Sequence, residues 1–131
     1  MRTWAYWIPA AVTMAGIAFL SHQAQLPAIP GAPADWLLHG IEFGFLSVTC
    51  LFGATRGFNR RFRSGRAAIL ALSITVVYGA LDELHQSFVP GRDVSLRDWL
   101  ADAVGALLVV FVLVLVWNRS AEKSRAGRPQ S

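Results

Sequence analysis

The sequence predicts an all-α membrane protein, a four-transmembrane-helix bundle with both termini on the cytoplasmic side. Four apolar stretches, residues 4–20, 36–55, 67–84 and 98–117, have the right length. A hydrocarbon core of about 30 Å takes about 17–25 helical residues to cross. Composition agrees: apolar residues make up 54% of the chain and charged residues 15%, against about 45–50% and about 25% in soluble domains. Charge also segregates between the connections. Arg56, Arg60, Arg61, Arg63 and Arg66 join the second and third stretches, and Arg119, Lys123, Arg125 and Arg128 follow the fourth. The other end gathers Asp35, His39, Glu42, Asp82, Glu83, His85, Gln86, Arg92, Asp98 and Asp102. Basic loops stay cytoplasmic, which directs this mixed acidic, histidine and arginine end outward across the plasma membrane.

The elements follow in order. Arg2 precedes the first span, and the loop after it, residues 21–35, contains no Lys or Arg. Small residues at Ala24 and Ala28 give the first span some likeness to a signal peptide, but its apolar run exceeds the usual 7–15 residues of such a core, and retention is expected. Leu26-Pro-Ala-Ile-Pro-Gly-Ala-Pro33 is expected to be an extended outer loop, because its prolines remove donors and fix φ. Phe88-Val-Pro-Gly-Arg92 reads as a turn punctuated by Pro-Gly. Ser95-Leu-Arg-Asp98 has the form of a capping box that starts the fourth helix. The bundle is a single domain over residues 1–118. Residues 119–131 are expected to be a polar, disordered cytoplasmic tail.

A net charge of +4 does not indicate nucleic acid here. Its surplus sits in one loop and one tail beside apolar spans, where orientation and anionic lipid account for it. The single Cys50 excludes an internal disulfide and reads as core filling.

Within the spans, His39 and Glu42 are three apart and share a helix face. Gly40 and Gly44 form a small-xxx-small pair suited to close helix approach. Thr75, Tyr78, Asp82 and then His85 or Gln86 make a polar stripe, and Asp98, Asp102 and Gly105 make another. Rise per residue places Glu42, Asp82 and Asp102 roughly 6–9 Å from the membrane centre. An ionised side chain facing lipid at mid-helix costs about 2.5–3.5 kcal/mol even on the lenient insertion scale, so the stripes are expected to turn inward around a shared pocket. The bland readings are specific too. Asp98 serves as a helix N-terminal acid, Glu83 and His85 lie in the headgroup layer, Arg97 meets lipid phosphate or Asp93, and Tyr78 and the Trp residues pack or form an interface belt.

These residues resemble the VanZ-like family. Asp35-Trp-Leu-Leu-His-Gly-Ile-Glu-Phe43 is similar to its Asp-Lys-x-x-His-Phe segment. Asp82-Glu-Leu-His-Gln-Ser-Phe-Val-Pro-Gly-Arg92 resembles its Asp-Glu-x-x-Gln-x-Phe-x-Pro-x-Arg signature, and Ser95-Leu-Arg-Asp-Trp-Leu-Ala-Asp-Ala-Val-Gly105 its Ser-x-x-Asp-x-x-x-Asn-x-x-Gly. The likeness covers about residues 35–110. Trp36 stands where Lys is frequent and Asp102 where Asn is frequent, which adds a potential negative charge to the pocket. The family is named for a protein associated with resistance to teicoplanin, an envelope-acting glycopeptide antibiotic. The resemblance therefore implies a bacterial envelope role.

Two classes of function follow. In the favoured one, the pocket binds a lipid or lipid-linked envelope precursor, or a glycopeptide, through Arg92, Gln86, Asp98, Asp102 and Tyr78. In the other, His39, Glu42, Asp82 or Glu83 performs acid–base catalysis on such a molecule. No Gly-rich phosphate loop, Cys/His zinc set or serine nucleophile paired with a base is present, and no cofactor is expected. His39, Glu42, Asp82 and Asp102 have ligand types that suit hard or borderline cations, but the reading adopted is metal-free.

Overall fold

A computed structural model of the chain describes residues 2–23, 35–59, 63–92 and 94–126. The extended loop expected at residues 26–33 lies outside them, as do Ala24, Ala28, Arg60, Arg61, Asp93 and Arg128. The described residues form four helices and no strands: α1 (Ile8–Ser21), preceded by a 3-10 turn over Thr3–Trp7, α2 (Asp35–Ala54), α3 (Gly65–Gln86) and α4 (Leu96–Ala126). All four are long and apolar enough to cross a membrane, counting the 3-10 turn with α1.

Local chemistry sets their ends. Pro9 opens α1, where its missing N–H costs nothing. Ser64 caps α3 by accepting from the Ala67 amide at 3.2 Å, satisfying one of the orphan donors of a helix start. After α2 the chain turns through Arg56, Gly57 and Phe58, all at positive φ, with Gly57 N donating to Phe52 O at 2.8 Å. Between α3 and α4, Arg92 N donates to Val89 O at 3.1 Å across Pro90-Gly91. Gly91 has φ +83°, the left-handed value that a type II turn demands of its third residue.

α2 is the central element, packed most extensively on α4 and then on α3, while α1 lies against α2 and α3. α2 and α4 run parallel, and small residues face each other along their seam. A Cβ at Gly40 would lie 3.3 Å from Ala101 O, and one at Gly44 3.2 Å from Val109 Cγ2. At Gly105 a Cβ would collide with the Gly40 carbonyl oxygen and stand 2.7 Å from its carbon. The glycine pair expected to permit close approach does so against Ala101 and Gly105, a second small-xxx-small pair. Beneath this seam Phe43, Leu46, Cys50, Leu51 and Ala71 are fully buried. Outward, Val12, Phe45, Ile69, Val77 and Leu107 are each more than half exposed, a surface matched to hydrocarbon.

The basic end is closed by aromatic rings. Tyr6, Phe52, Phe58 and Trp117 follow one another at centroid separations of 6.0, 5.3 and 6.1 Å. The Arg63 guanidinium lies 4.7 Å from the Trp117 ring centre. One boundary differs from the sequence expectation: α4 continues to Ala126, so the polar segment from residue 119 is helical over most of its length. Ser120 Oγ donates to Val116 O at 2.8 Å within that extension.

Candidate functional site

The polar residues converge at the other end of the bundle, where α2 and α4 begin and α3 finishes. His39 and Asp102 are both buried, and His39 Nδ1 lies 3.2 Å from Asp102 Oδ1, with the imidazole N–H donating. Glu83, 5% exposed, points toward α4. Its Oε2 accepts from Ser95 N at 2.7 Å. The capping box expected at Ser95 is thus half local and half borrowed. Ser95 Oγ accepts from Asp98 N at 3.2 Å, but the return bond to the Ser95 amide comes from Glu83 of α3 instead of Asp98. Asp98 is left half-buried beside the cluster. Among the described residues, His39, Glu83 and Asp102 each offer one ligand atom within 4.8 Å of the others, and Asp35, His39 and Asp98 form a second, more exposed set of that kind.

Asp82, adjacent to Glu83 in sequence, belongs to a different group. Its Oδ2 accepts from Ser21 Oγ at 2.9 Å and from Gln86 Nε2 at 2.8 Å, and all three residues are buried. Ser21 is a participant that the sequence reading missed. The signal was present, since Ser21-His22-Gln23 ends the first span with three polar residues. His22 in turn sits 3.3 Å from His85, Nδ1 to Nε2, at the exposed rim. Gly79 was missed as well. A Cβ there would stand 3.1 Å from Asp102 Oδ2 and 3.3 Å from Phe43 and from Trp99, so the glycine makes room for the carboxylate.

The remaining candidates fall around these groups. Tyr78 donates to Met14 O at 2.6 Å, tying α3 to α1, so its hydroxyl hydrogen is already placed. Trp99 likewise donates to Val76 O at 3.2 Å. Glu42 is half-buried and makes no hydrogen bond among the described residues. Arg92 is half-buried in the α3–α4 turn and forms no ion pair with Asp82 or Asp98. Three side-chain atoms here are buried without a hydrogen-bond partner among the described residues: Glu83 Oε1, Asp102 Oδ2 and Arg92 Nε. Such atoms are rare in folded proteins, and each calls for an explanation.

On the outer face of the α2–α4 seam, Gly40, Gly44 and Gly105 leave an apolar groove of about 530 Å³ walled by Ile41, Phe45, Val48 and Leu108. Trp36 stands among its walls, with the Arg97 guanidinium 5.4 Å from the ring centre.

Fold and site together define a multi-pass, all-helical membrane protein with a buried carboxylate–histidine cluster at one end of its bundle. No curated protein and no solved structure matches the chain. A family model described as VanZ/LLP1 matches residues 5–117, and the chain belongs to that family.

Proposed function

We propose that this VanZ-family protein binds the head group of a lipid or lipid-linked cell-envelope precursor in a pocket on the outer side of the bacterial plasma membrane, and so alters susceptibility to glycopeptides of the teicoplanin kind. The observation that carries the reading is a trio of buried atoms, Glu83 Oε1, Asp102 Oδ2 and Arg92 Nε, that find no hydrogen-bond partner among the described residues and lie on the elements at the acidic end. Desolvating such groups without partners costs about 1–3 kcal/mol each, more when charged. A bundle needing only to pack would fill those positions with apolar side chains. A ligand carrying oxyanions and hydroxyls satisfies both kinds: Arg92 grips an oxyanion, and the carboxylates accept from hydroxyl or ammonium groups. The neighbouring apolar groove supplies a bed for an acyl or prenyl chain, with Arg97 and Trp36 at the level of the head group. The ten basic residues of the amino terminus, the second connection and the tail, against two at the acidic end, support the outward orientation.

The second class, acid–base catalysis on the same molecule, draws on the His39–Asp102 pair. A carboxylate that orients an imidazole is a recurrent general-base arrangement, and here it adjoins Glu83.

The test is binding of an undecaprenyl-diphosphate-linked precursor to the purified chain in nanodiscs, comparing Arg92 with Arg92→Lys. Lysine keeps the charge and loses the planar fork. Binding weakened at least tenfold at nearly unchanged thermal stability supports the reading, because Arg92 makes no ion pair with Asp82 or Asp98 for lysine to lose. Equal binding by both proteins, or none by either, defeats it. Release of a cleaved or transferred product would move the assignment to the enzymatic class.

A further inference from the structure

We infer that His39, Glu83 and Asp102 hold a divalent transition-metal ion of the zinc and manganese class. The argument begins with what each group already does. Glu83 uses Oε2 to accept from the Ser95 amide, and Asp102 uses Oδ1 to hold the His39 ring. Both carboxylates are therefore fixed in orientation, and both keep a second oxygen, Oε1 and Oδ2, that is buried with no partner among the described residues. The two residues are 5% and 1% exposed, and His39 is 6% exposed. Two buried carboxylates this close repel each other without a cation, and the ordinary remedy for buried charge is pairing or metal coordination.

The spacing fits. One ligand atom from each residue lies within 4.8 Å of the other two. Ligands about 2.0–2.2 Å from an ion are at most about 4.4 Å apart, so the set closes with modest side-chain rotation once the ion displaces the His39 proton now shared with Asp102. The ring nitrogen separates candidate ions. An all-oxygen set would suit magnesium or calcium, whereas imidazole with two carboxylates suits zinc, manganese or iron. Three protein ligands leave coordination positions open for water or an anion, the pattern of working metal sites as opposed to closed structural ones. Three different helices supply the ligands, so the ion would sit where α2, α3 and α4 meet.

The ion also changes what the pocket can bind. Two carboxylates beside one imidazole present net negative charge, which repels a phosphate. A divalent cation cancels that charge and offers its open positions to phosphate oxygens, with Arg92 in the adjoining turn. The metal site stands on the geometry of His39, Glu83 and Asp102 alone; only this service to a head group rests on the function proposed above.

The full-length protein, stripped with chelator in detergent and exposed to zinc or manganese alone, is desalted and its metal counted by mass spectrometry. About one ion per chain is expected. His39→Ala and Glu83→Gln should each lower affinity at least tenfold, while Glu42→Gln and Asp35→Asn should not. Glutamine keeps the acceptor for the Ser95 amide, which separates ligand loss from unfolding. Cobalt provides a readout without any variant: a visible absorption band of a four- or five-coordinate ion in the wild-type protein supports the site. No stoichiometric uptake, uptake indifferent to His39→Ala and Glu83→Gln, or uptake lost instead with Asp35→Asn overturns the inference. Precursor binding by the chelated protein would remove the metal's service to the head group and leave the head-group reading standing. Metal uptake without precursor binding would do the opposite.

Discussion

The contact between Gly105 and Gly40 sets the spacing of the candidate site, and Gly105→Ala measures how strictly. The added methyl would collide with the Gly40 carbonyl oxygen and stand 2.7 Å from the carbonyl carbon and 2.9 Å from Cα. These are backbone atoms on the central helix, so no rotamer change relieves the clash. Bringing the carbonyl carbon alone to an ordinary contact of 3.4 Å requires α2 and α4 to part by about 0.7 Å, and the nearer carbonyl oxygen requires more. Overpacking of this kind costs roughly 1–3 kcal/mol, partly offset by the helix preference of alanine over glycine, about 1 kcal/mol. His39 adjoins Gly40, and Asp102 lies one turn before Gly105. Even that smaller separation takes their 3.2 Å hydrogen bond to nearly 4 Å, beyond useful length. Gly105→Ala should therefore lose stability in detergent unfolding, and adding His39→Ala should cost much less than it does in the wild-type background, since contacting groups are non-additive. Gly16→Ala is the control, because a Cβ there meets nothing within 4 Å and stability should hold or rise. A Gly105→Ala protein as stable as Gly16→Ala, or full additivity with His39→Ala, would refute the packing argument.

Glu83→Ala strands the Ser95 amide and should destabilise the start of α4 by about 1–3 kcal/mol, whereas Glu83→Gln should stay within about 1 kcal/mol of wild type; equal losses in thermal unfolding would show that the bond to Ser95 contributes nothing. Tyr78→Phe removes the 2.6 Å bond to Met14 and should cost roughly 0.6 kcal/mol and at most about 1.7, the range of interhelical hydrogen bonds in membranes; a larger loss in detergent unfolding would mean that the ring's packing had been disturbed. Reporter fusions after Arg63 and after Arg125 should read cytoplasmic and one within residues 26–34 external, and an external signal at Arg63 would reverse the orientation of the whole site.

The spans and the polar end were readable from sequence because both depend on position along an axis. An apolar run has a length, and a charge has a depth. The turn at Val89–Arg92 and the Ser95 cap were readable because they are local chemistry. Azimuth was not. Common depth groups Glu42, Asp82 and Asp102, yet Asp102 meets His39 while Asp82 meets Ser21 and Gln86. Asp82 and Glu83 are neighbours in the chain, about 100° apart around a helix, and that angle sends one to α1 and the other to α4. Glu83 was the harder of the two because its exposure depends on where α4 starts. The tail departs from expectation for another reason: its polarity suggests disorder, but Ala121, Glu122 and Lys123 are good helix formers and extend α4.

The His39–Asp102 partners are 63 residues apart in the chain, and Ser21 and Asp82 are 61 apart. During synthesis at about 5–20 residues per second, His39 waits roughly 3–13 s for its carboxylate to be made. Over that interval the second helix carries an unmatched imidazole, and the third, once inserted, brings Glu83 before the Ser95 amide exists. Their place near the helix ends lets them wait in the wet interfacial layer, and the glycine seam can draw them inward only after the fourth helix enters. Chains ending before Asp102 thus leave the His39 imidazole without its carboxylate.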